Sequence, residues 1–254
     1  MKRRKFMYSA AAASAFPLAG VANVTNSSQE VGGKELYEMR IYEMKFRGDK
    51  QALLDYLNNV LNSSLKRLGA NHFMVLQEIG LSDPTKIWVF ISYPSAEVFL
   101  KAHNLNADSE YTALAEKYNA LTSDKALYNR FTSSLLLAFD GWPKIKDSVS
   151  GANLFELRTY EGFSEDAVRR KIKMFNEGEI DIFLKTGLHP IFFGEMIIGP
   201  YRPCLTYMLN FKDIEERDAN WAKFVSHPDW KSMSGMEEYA DTVSKIHRTF
   251  LKPL

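Results

Sequence analysis

Apolar and polar residues alternate along two distant segments of the chain. The segments read Leu-Tyr-Glu-Met-Arg-Ile-Tyr-Glu at 36–43 and Leu-Phe-Glu-Leu-Arg-Thr-Tyr-Glu at 154–161, with five of eight positions identical. A repeat of period two is typical of a β-strand whose two faces meet different surroundings. The likeness between the segments predicts that one structural unit occurs twice.

The same offset of 118 residues aligns features further along the chain. It places Gly69 on Gly187, the apolar run 87–93 on 205–211, and Arg130 on Arg248. A single short match could arise by chance, whereas a constant offset over many positions indicates an internal duplication.

Each copy predicts the same order of elements. A helical stripe of apolar residues begins at Asp49 or Ser164 and ends at Gly69 or Gly187, as expected for a capped helix. A second helical region begins at Ser95 or Asp213. The predicted strands that follow the first pair are 72–79, 87–93 and 130–139 in one copy and 190–198, 205–211 and 243–251 in the other. The order is therefore β-α-β-β-α-β, the ferredoxin-like unit.

A ferredoxin-like unit covers one face of its sheet with helices and leaves the other face to be buried. Packing the two open faces together solves this within one chain. The predicted fold class is therefore α+β, with two tandem ferredoxin-like units closing a pseudo-twofold dimeric α+β barrel. The first unit spans 35–139 and the second 154–254, and the Gly-, Pro- and Ser-containing segment 140–153 is a linker.

The N-terminus has the layout of an export signal. Basic residues 2–5, a short alanine-rich stretch and small residues before position 22 match a signal peptide over 1–22, and Arg3-Arg4 resembles a twin-arginine signal. A flexible lead-in would follow over 23–34. We expect a periplasmic or secreted bacterial protein; the alternatives are a disordered basic N-terminus and an uncleaved anchor.

The charge balance argues against binding to nucleic acid. The whole chain carries 32 basic and 31 acidic side chains. Four of the basic residues and none of the acidic ones lie in 1–22, so the remaining chain has 28 against 31, a net charge of −3. Such binding requires surplus Lys and Arg. The single cysteine, Cys204, excludes an intramolecular disulfide.

The second copy resembles the NIPSNAP family. The resemblance is carried by Phe155-Glu-Leu-Arg-Thr-Tyr160 and by Phe224-Val-Ser-His-Pro-Asp-Trp230, whereas the first copy matches only at 38–42 and lacks the tryptophan. It implies a dimeric α+β barrel, consistent with the repeat. It implies little about activity, because the same superfamily contains cofactor-free monooxygenases, isomerases and haem enzymes.

Charged residues recur on one face of each first strand. This face carries two triplets and one further acidic residue on a later strand: Glu38, Arg40, Tyr42, Glu156, Arg158, Tyr160 and Glu195. We expect the triplets to face the barrel interior or its mouth, with the opposite faces packed against helices. They then bind a polar or anionic ligand, or form an ion pair that sets how the halves dock. Glu195 extends either network.

Catalytic signals are weak. His189, at the start of a strand, is the best-placed histidine for acid–base or axial-ligand chemistry, and the alternative is an ordinary turn histidine. The spacing of the histidines predicts no metal site. No cofactor is expected, with haem and flavin left open.

These observations favour an exported NIPSNAP-family protein of undefined activity. We expect it to bind a small polar or anionic molecule in the barrel between its halves. The alternative is a cofactor-free monooxygenase- or isomerase-like enzyme. We expect no nucleic-acid partner and no membrane anchor in the mature protein. The internal pseudo-dimer predicts a monomer in solution, with further homo-oligomers left open.

Overall fold

The computed structural model describes residues 33–80 and 82–254. The expected signal peptide and nearly all of the lead-in therefore lie outside the described residues. The described residues form one compact unit. None of their helices is both long enough and apolar enough to cross a lipid bilayer.

Eight strands supply the framework. Their bounds are β1 Leu36–Met44, β2 His72–Glu78, β3 Lys86–Tyr93, β4 Tyr128–Ala138, β5 Leu154–Glu161, β6 His189–Ile198, β7 Cys204–Phe211 and β8 Lys245–Pro253. The predicted strands are all present, and their ends differ from the predictions by at most two residues.

The strands form a closed barrel in the order β1-β3-β2-β8-β5-β7-β6-β4. Every neighbouring pair is antiparallel. Strands β1 to β4, from the first copy, make one sheet, and β5 to β8, from the second copy, make the other, as the repeat predicts. The sheets join where β2 meets β8, with Leu76 opposite Pro253, and where β4 meets β6, with Leu137 opposite Glu195.

Helices cover the outside of the barrel. Their bounds are α1 Lys50–Asp55, α2 Asn62–Arg67, α3 Ala96–His103, α4 Ser109–Leu114, α5 Glu116–Asn119, α6 Glu165–Met174, α7 Ile180–Lys185, α8 Ile214–Ser226 and α9 Pro228–Ser234. Two π-helical segments, Tyr56–Leu61 and Phe175–Glu179, join α1 to α2 and α6 to α7. Short 3-10 turns occupy Leu105–Ala107, Ser123–Lys125 and Glu237–Tyr239.

The helices begin at the residues expected to cap them. Asp49, Ser95, Ser164 and Asp213 each accept a hydrogen bond from a backbone N–H in the first turn that follows. Such bonds satisfy donors that a helix N-terminus otherwise leaves unpaired.

The barrel interior is apolar. Its cluster draws on both sheets and includes Tyr37, Met39, Phe90, Phe192 and Met208. Two separate clusters lie between the sheets and their outer helices. Because the interior is shared by the two halves, hydrophobic burial holds them together as one folded unit.

The segment 140–153 closes one end of the barrel. Ile145 joins the interior cluster, and its backbone N–H donates to Glu35 Oε2 at 2.8 Å. The Lys146 N–H donates to the Ile191 carbonyl at 2.8 Å, near the start of β6. This segment is therefore packed against the barrel at the end where β1 and β5 begin.

Candidate functional site

The charged triplets of β1 and β5 lie on the helix side of their sheets, so the expectation that they face the interior was wrong. Tyr42 packs in the cluster under the helices of the first unit and Tyr160 in the matching cluster of the second. The faces carrying Tyr37, Met39 and Leu157 point inward instead. The interior is lined by both sheets and contains few polar partners, so the more apolar face is buried there.

Glu38 and Arg40 form a closed ion pair under the helices. Arg40 Nε donates to Glu38 Oε1 at 2.7 Å and Nη2 donates to Oε2 at 2.9 Å. Tyr93 and Ser133 also donate to this carboxylate. Burial raises the pKa of Glu38, but the charge of Arg40 and these hydrogen bonds outweigh burial and lower its pKa overall.

Glu156 has a different set of partners. It accepts hydrogen bonds from Arg158 at 2.7 Å, from Arg217 at 2.9 and 3.0 Å, and from Trp221 at 2.9 Å. The Arg158 guanidinium also lies 3.8 Å from the Trp221 ring centroid. Burial again raises the pKa of Glu156, and the arginine and tryptophan donors bring it below its ordinary value.

Both pairs are therefore internal to one unit. The Tyr160 hydroxyl shares a hydrogen bond with the Tyr207 hydroxyl and accepts one from Arg158. The side-chain hydrogen bonds of the second triplet therefore all go to partners within residues 154–221. The structure does not place either pair between the two sheets, which corrects the idea that they set how the halves dock. Glu195 is exposed and makes no side-chain hydrogen bond among the described residues.

A cavity opens inside the barrel at the end where β1 and β5 finish. We call it the barrel-mouth cavity; its volume is about 300 Å³, at the lower end of the range for small-molecule sites. Residues of both units line it, namely Met39, Ile41, Glu78, Lys86, Trp88, Thr132, Leu157, Thr159, Met196, Pro200, Tyr201, His247 and Thr249. Both sheets thus contribute to the lining of this cavity.

Two residues that line this cavity each carry a buried polar atom without a hydrogen-bond partner among the described residues. The atoms are Trp88 Nε1, a donor, and Glu78 Oε2, an acceptor. Tyr37 Oη, also on the inward face, has no partner either. Buried polar atoms are nearly always bonded, so the two atoms on residues that line the cavity are candidate partners for a water or a ligand.

A histidine that is paired with a glutamate lines the same cavity. His247 Nε2 bonds to Glu161 Oε1, and both residues are about three-quarters buried. The Tyr201 ring stacks on the imidazole with 4.1 Å between centroids. Tyr201 has a φ of 66°, a conformation that residues other than glycine seldom adopt and that clusters at functional sites.

His189, the histidine singled out from the sequence, lies elsewhere. It begins β6 near the end closed by segment 140–153, and its Nε2 lies 4.0 Å from Glu216 Oε1. No local sequence pattern marked His247. The available signal was its alternation with Thr249 and Leu251, the residues of β8 that face the barrel interior.

Cys204 is a buried structural thiol. Its Sγ approaches the Pro200 carbonyl at 3.6 Å. Burial, with a smaller contribution from the Glu161 charge, raises its pKa to about 11, so it is protonated at neutral pH. No three His, Cys, Asp or Glu side chains converge into a metal-binding group within 33–80 and 82–254.

Two four-stranded halves closed into one antiparallel barrel with helices outside define a dimeric α+β barrel. A putative monooxygenase from Fusobacterium nucleatum has this fold, with a TM-score of 0.58 over 87% of this chain and 93% of that chain, at 13% identity. A putative monooxygenase from Lactobacillus acidophilus NCFM gives 0.54 over 86% and 93%, at 10% identity. Identities this low show the fold alone.

Residues 155–254 match the NIPSNAP family model. The match covers the part of the chain in which the strand and tryptophan motifs resemble that family. A NIPSNAP family protein of unknown function from Agrobacterium tumefaciens shares 18% identity over 42% of this chain and 94% of its own, with a TM-score of 0.36. No curated protein is detectably similar to the chain in sequence.

Proposed function

We propose that this protein binds a small, largely apolar molecule with hydrogen-bonding groups in the barrel-mouth cavity. The observation that carries the proposal is that two residues lining one cavity, Trp88 and Glu78, each have an unpartnered buried atom, Nε1 and Oε2. A ligand that accepts from the indole and donates to the carboxylate would satisfy both. The same site replaces the triplets of β1 and β5 as the expected ligand site.

The surroundings favour a polar ligand over a strongly anionic one. Met39, Ile41 and Leu157 supply apolar surface, while Lys86 and Glu78 place opposite charges in the cavity. A hydroxyl group on a flat ring fits this combination, because its ring contacts the apolar wall and its hydrogen reaches the carboxylate.

The proposal is tested with 2-naphthol and with naphthalene, which has the same two rings and no hydroxyl. Isothermal calorimetry is expected to show 2-naphthol binding about tenfold more tightly, the worth of one hydrogen bond of about 1.4 kcal/mol. The advantage should disappear in Glu78→Met and Trp88→Phe.

The matched control is Trp142→Phe. Trp142 Nε1 already donates to the Ile191 carbonyl at 3.1 Å, outside the cavity, so its loss should leave 2-naphthol binding unchanged. Equal binding of the two compounds, or binding indifferent to Glu78 and Trp88, would show that the cavity is not the site.

The second candidate is a cofactor-free monooxygenase or isomerase. The observation that favours it is His247, held by Glu161 within the wall of the same cavity. The two putative monooxygenases support this candidate only through their shared fold.

Export is the remaining part of the proposed function. It is supported by the basic residues 2–5 and the alanine-rich stretch that follows. N-terminal sequencing of the protein recovered from its native host is expected to begin near residue 23. Recovery of an intact N-terminus in the cytoplasm would contradict it.

A further inference from the structure

We propose that His247 and Glu161 form an acid–base pair that removes a proton from a carbon next to a carbonyl group of the bound ligand. The inference rests on the proposed function, because it requires a ligand in the barrel-mouth cavity. It adds an activity and a substrate class, that of ketones with acidic α-hydrogens.

The register of β8 brings the pair onto the inner face of the barrel. His247 lies opposite Thr159, and Thr159 and Thr249 both line the cavity. Glu161 follows Thr159 by two positions and so points to the same side of β5. The two strands therefore place a carboxylate and an imidazole side by side at the cavity wall.

The bonding of His247 sets its tautomer. An ionised carboxylate accepts hydrogen bonds and cannot donate them, so the Nε2 atom that contacts Glu161 carries the hydrogen. Nδ1 is then the lone-pair nitrogen, and it has no hydrogen-bond partner within the described part of the chain. Stacking by Tyr201 at 4.1 Å restrains the ring plane. An oriented neutral imidazole with a free lone pair is a general base.

Trp88 supplies the complementary group. When a proton leaves the α-carbon, its electron pair moves onto the carbonyl oxygen and an enolate forms. An unpaired neutral N–H in the wall of a largely apolar cavity stabilises that oxygen more in the enolate than in the ketone. Trp88 Nε1 is such a donor and has no other partner among the described residues.

The step balances without any further reactant. The proton moves from carbon to His247 Nδ1, and the carbon–hydrogen electron pair becomes the enolate. If the proton on Nδ1 is first replaced by one from water, its return to the same carbon gives exchange with solvent, whereas return to a conjugated carbon gives an isomer. Neither outcome needs an oxidant, a metal or a cofactor.

The experiment uses indan-2-one, whose two fused rings suit a cavity of about 300 Å³. Proton NMR in D2O follows the loss of its α-hydrogen signal, with the protein-free rate subtracted, and calorimetry gives its Kd. The wild-type protein is expected to accelerate exchange. His247→Gln should bind with a Kd within about threefold of wild type and lose at least about 100-fold in exchange rate.

Two further variants separate roles. Glu161→Gln tests Glu161 as a positioning residue: exchange should fall, and ¹⁵N NMR should show the fixed His247 tautomer replaced by a mixture. His103→Gln changes an exposed histidine at the end of α3, far from the cavity lining, and should leave exchange unchanged.

Exchange at the protein-free rate while indan-2-one is bound would overturn the inference, and 2-naphthol binding would still stand as the test of the proposed function. Wild-type exchange by His247→Gln would also overturn it. Failure of indan-2-one to bind where 2-naphthol binds would overturn the substrate class.

Discussion

Arg40 donates two hydrogen bonds, of 2.7 and 2.9 Å, to the Glu38 carboxylate. Among the described residues it is the only cation that bonds to this carboxylate. Glu156, its counterpart in the second unit, contacts two arginines, Arg158 and Arg217. The duplicated strands therefore share a motif but differ in how much each depends on one arginine.

Arg40→Met is expected to cost about 3–5 kcal/mol of unfolding free energy, since it leaves a buried carboxylate without a cation. Arg158→Met should cost less, about 1–3 kcal/mol, because Arg217 still neutralises Glu156. Urea denaturation measures both. Arg169→Met, at an exposed surface pair, is the control and should change stability by no more than about 0.5 kcal/mol. Equal losses for Arg40 and Arg158 would contradict this account.

Stability should fall in acid. The pKa values of Glu38 and Glu156 are lowered in the folded protein, so each carboxylate contributes stability above the unfolded value of about 4.3. That contribution is lost as the pH falls through the lower folded pKa. The urea midpoint should therefore decrease below about pH 4.3, and Glu38→Gln should flatten the decrease. Glu97→Gln, at an exposed position, is the control; an identical acid response in both variants would refute the assignment.

The buried Lys171–Glu179 pair gives a third prediction. Lys171 Nζ lies 2.6 Å from Glu179 Oε2, with both side chains almost fully buried, and burial raises the pKa of Glu179 despite the lysine. Lys171→Met alone should cost about 3–5 kcal/mol, because a buried acid is left unpaired.

Replacing both partners should be far less harmful. The double variant Lys171→Met with Glu179→Leu is expected to be as stable as wild type, or up to about 4 kcal/mol more stable, by thermal or urea unfolding. A double variant as unstable as the single one would mean that the pair itself contributes net stability.

Gly194 has no room for a side chain. A Cβ at this position would lie 2.8 Å from Leu136 Cβ on the neighbouring strand of the other sheet. Gly194→Ala should therefore push β4 and β6 apart and cost about 1–3 kcal/mol. Gly235→Ala is the control, since its φ is −89° and its nearest atom would be 3.4 Å away. Thermal unfolding that does not distinguish the two variants would contradict the proposed clash.

The sequence by itself determined the architecture. A constant offset of 118 residues revealed two units, and capping residues such as Asp49 and Ser164 placed the helices. These signals are local, because hydrogen bonding and side-chain periodicity act over a few residues. The NIPSNAP motifs at 155–160 and 224–230 likewise lie within short segments, and the family match over 155–254 confirms them.

Only the tertiary structure decided which face of β1 and β5 is inside. Alternation separates Glu38 from Met39, but it does not say which face meets the second sheet and which meets a helix. The charged residues lie on the helix face because their hydrogen bonds are completed there by Tyr93, Ser133, Arg217 and Trp221. The apolar face went to the interior, where two sheets meet and such partners are few.

The barrel-mouth cavity was equally invisible in the sequence. Trp88, Glu78 and His247 lie on three strands from two units, and chain order gives no reason to group them. Their proximity depends on the β2–β8 junction, where closing the barrel brings Glu78 opposite Leu251. Local patterns therefore specified the strands, while barrel closure, driven by burial of the apolar faces, decided which polar groups share a cavity.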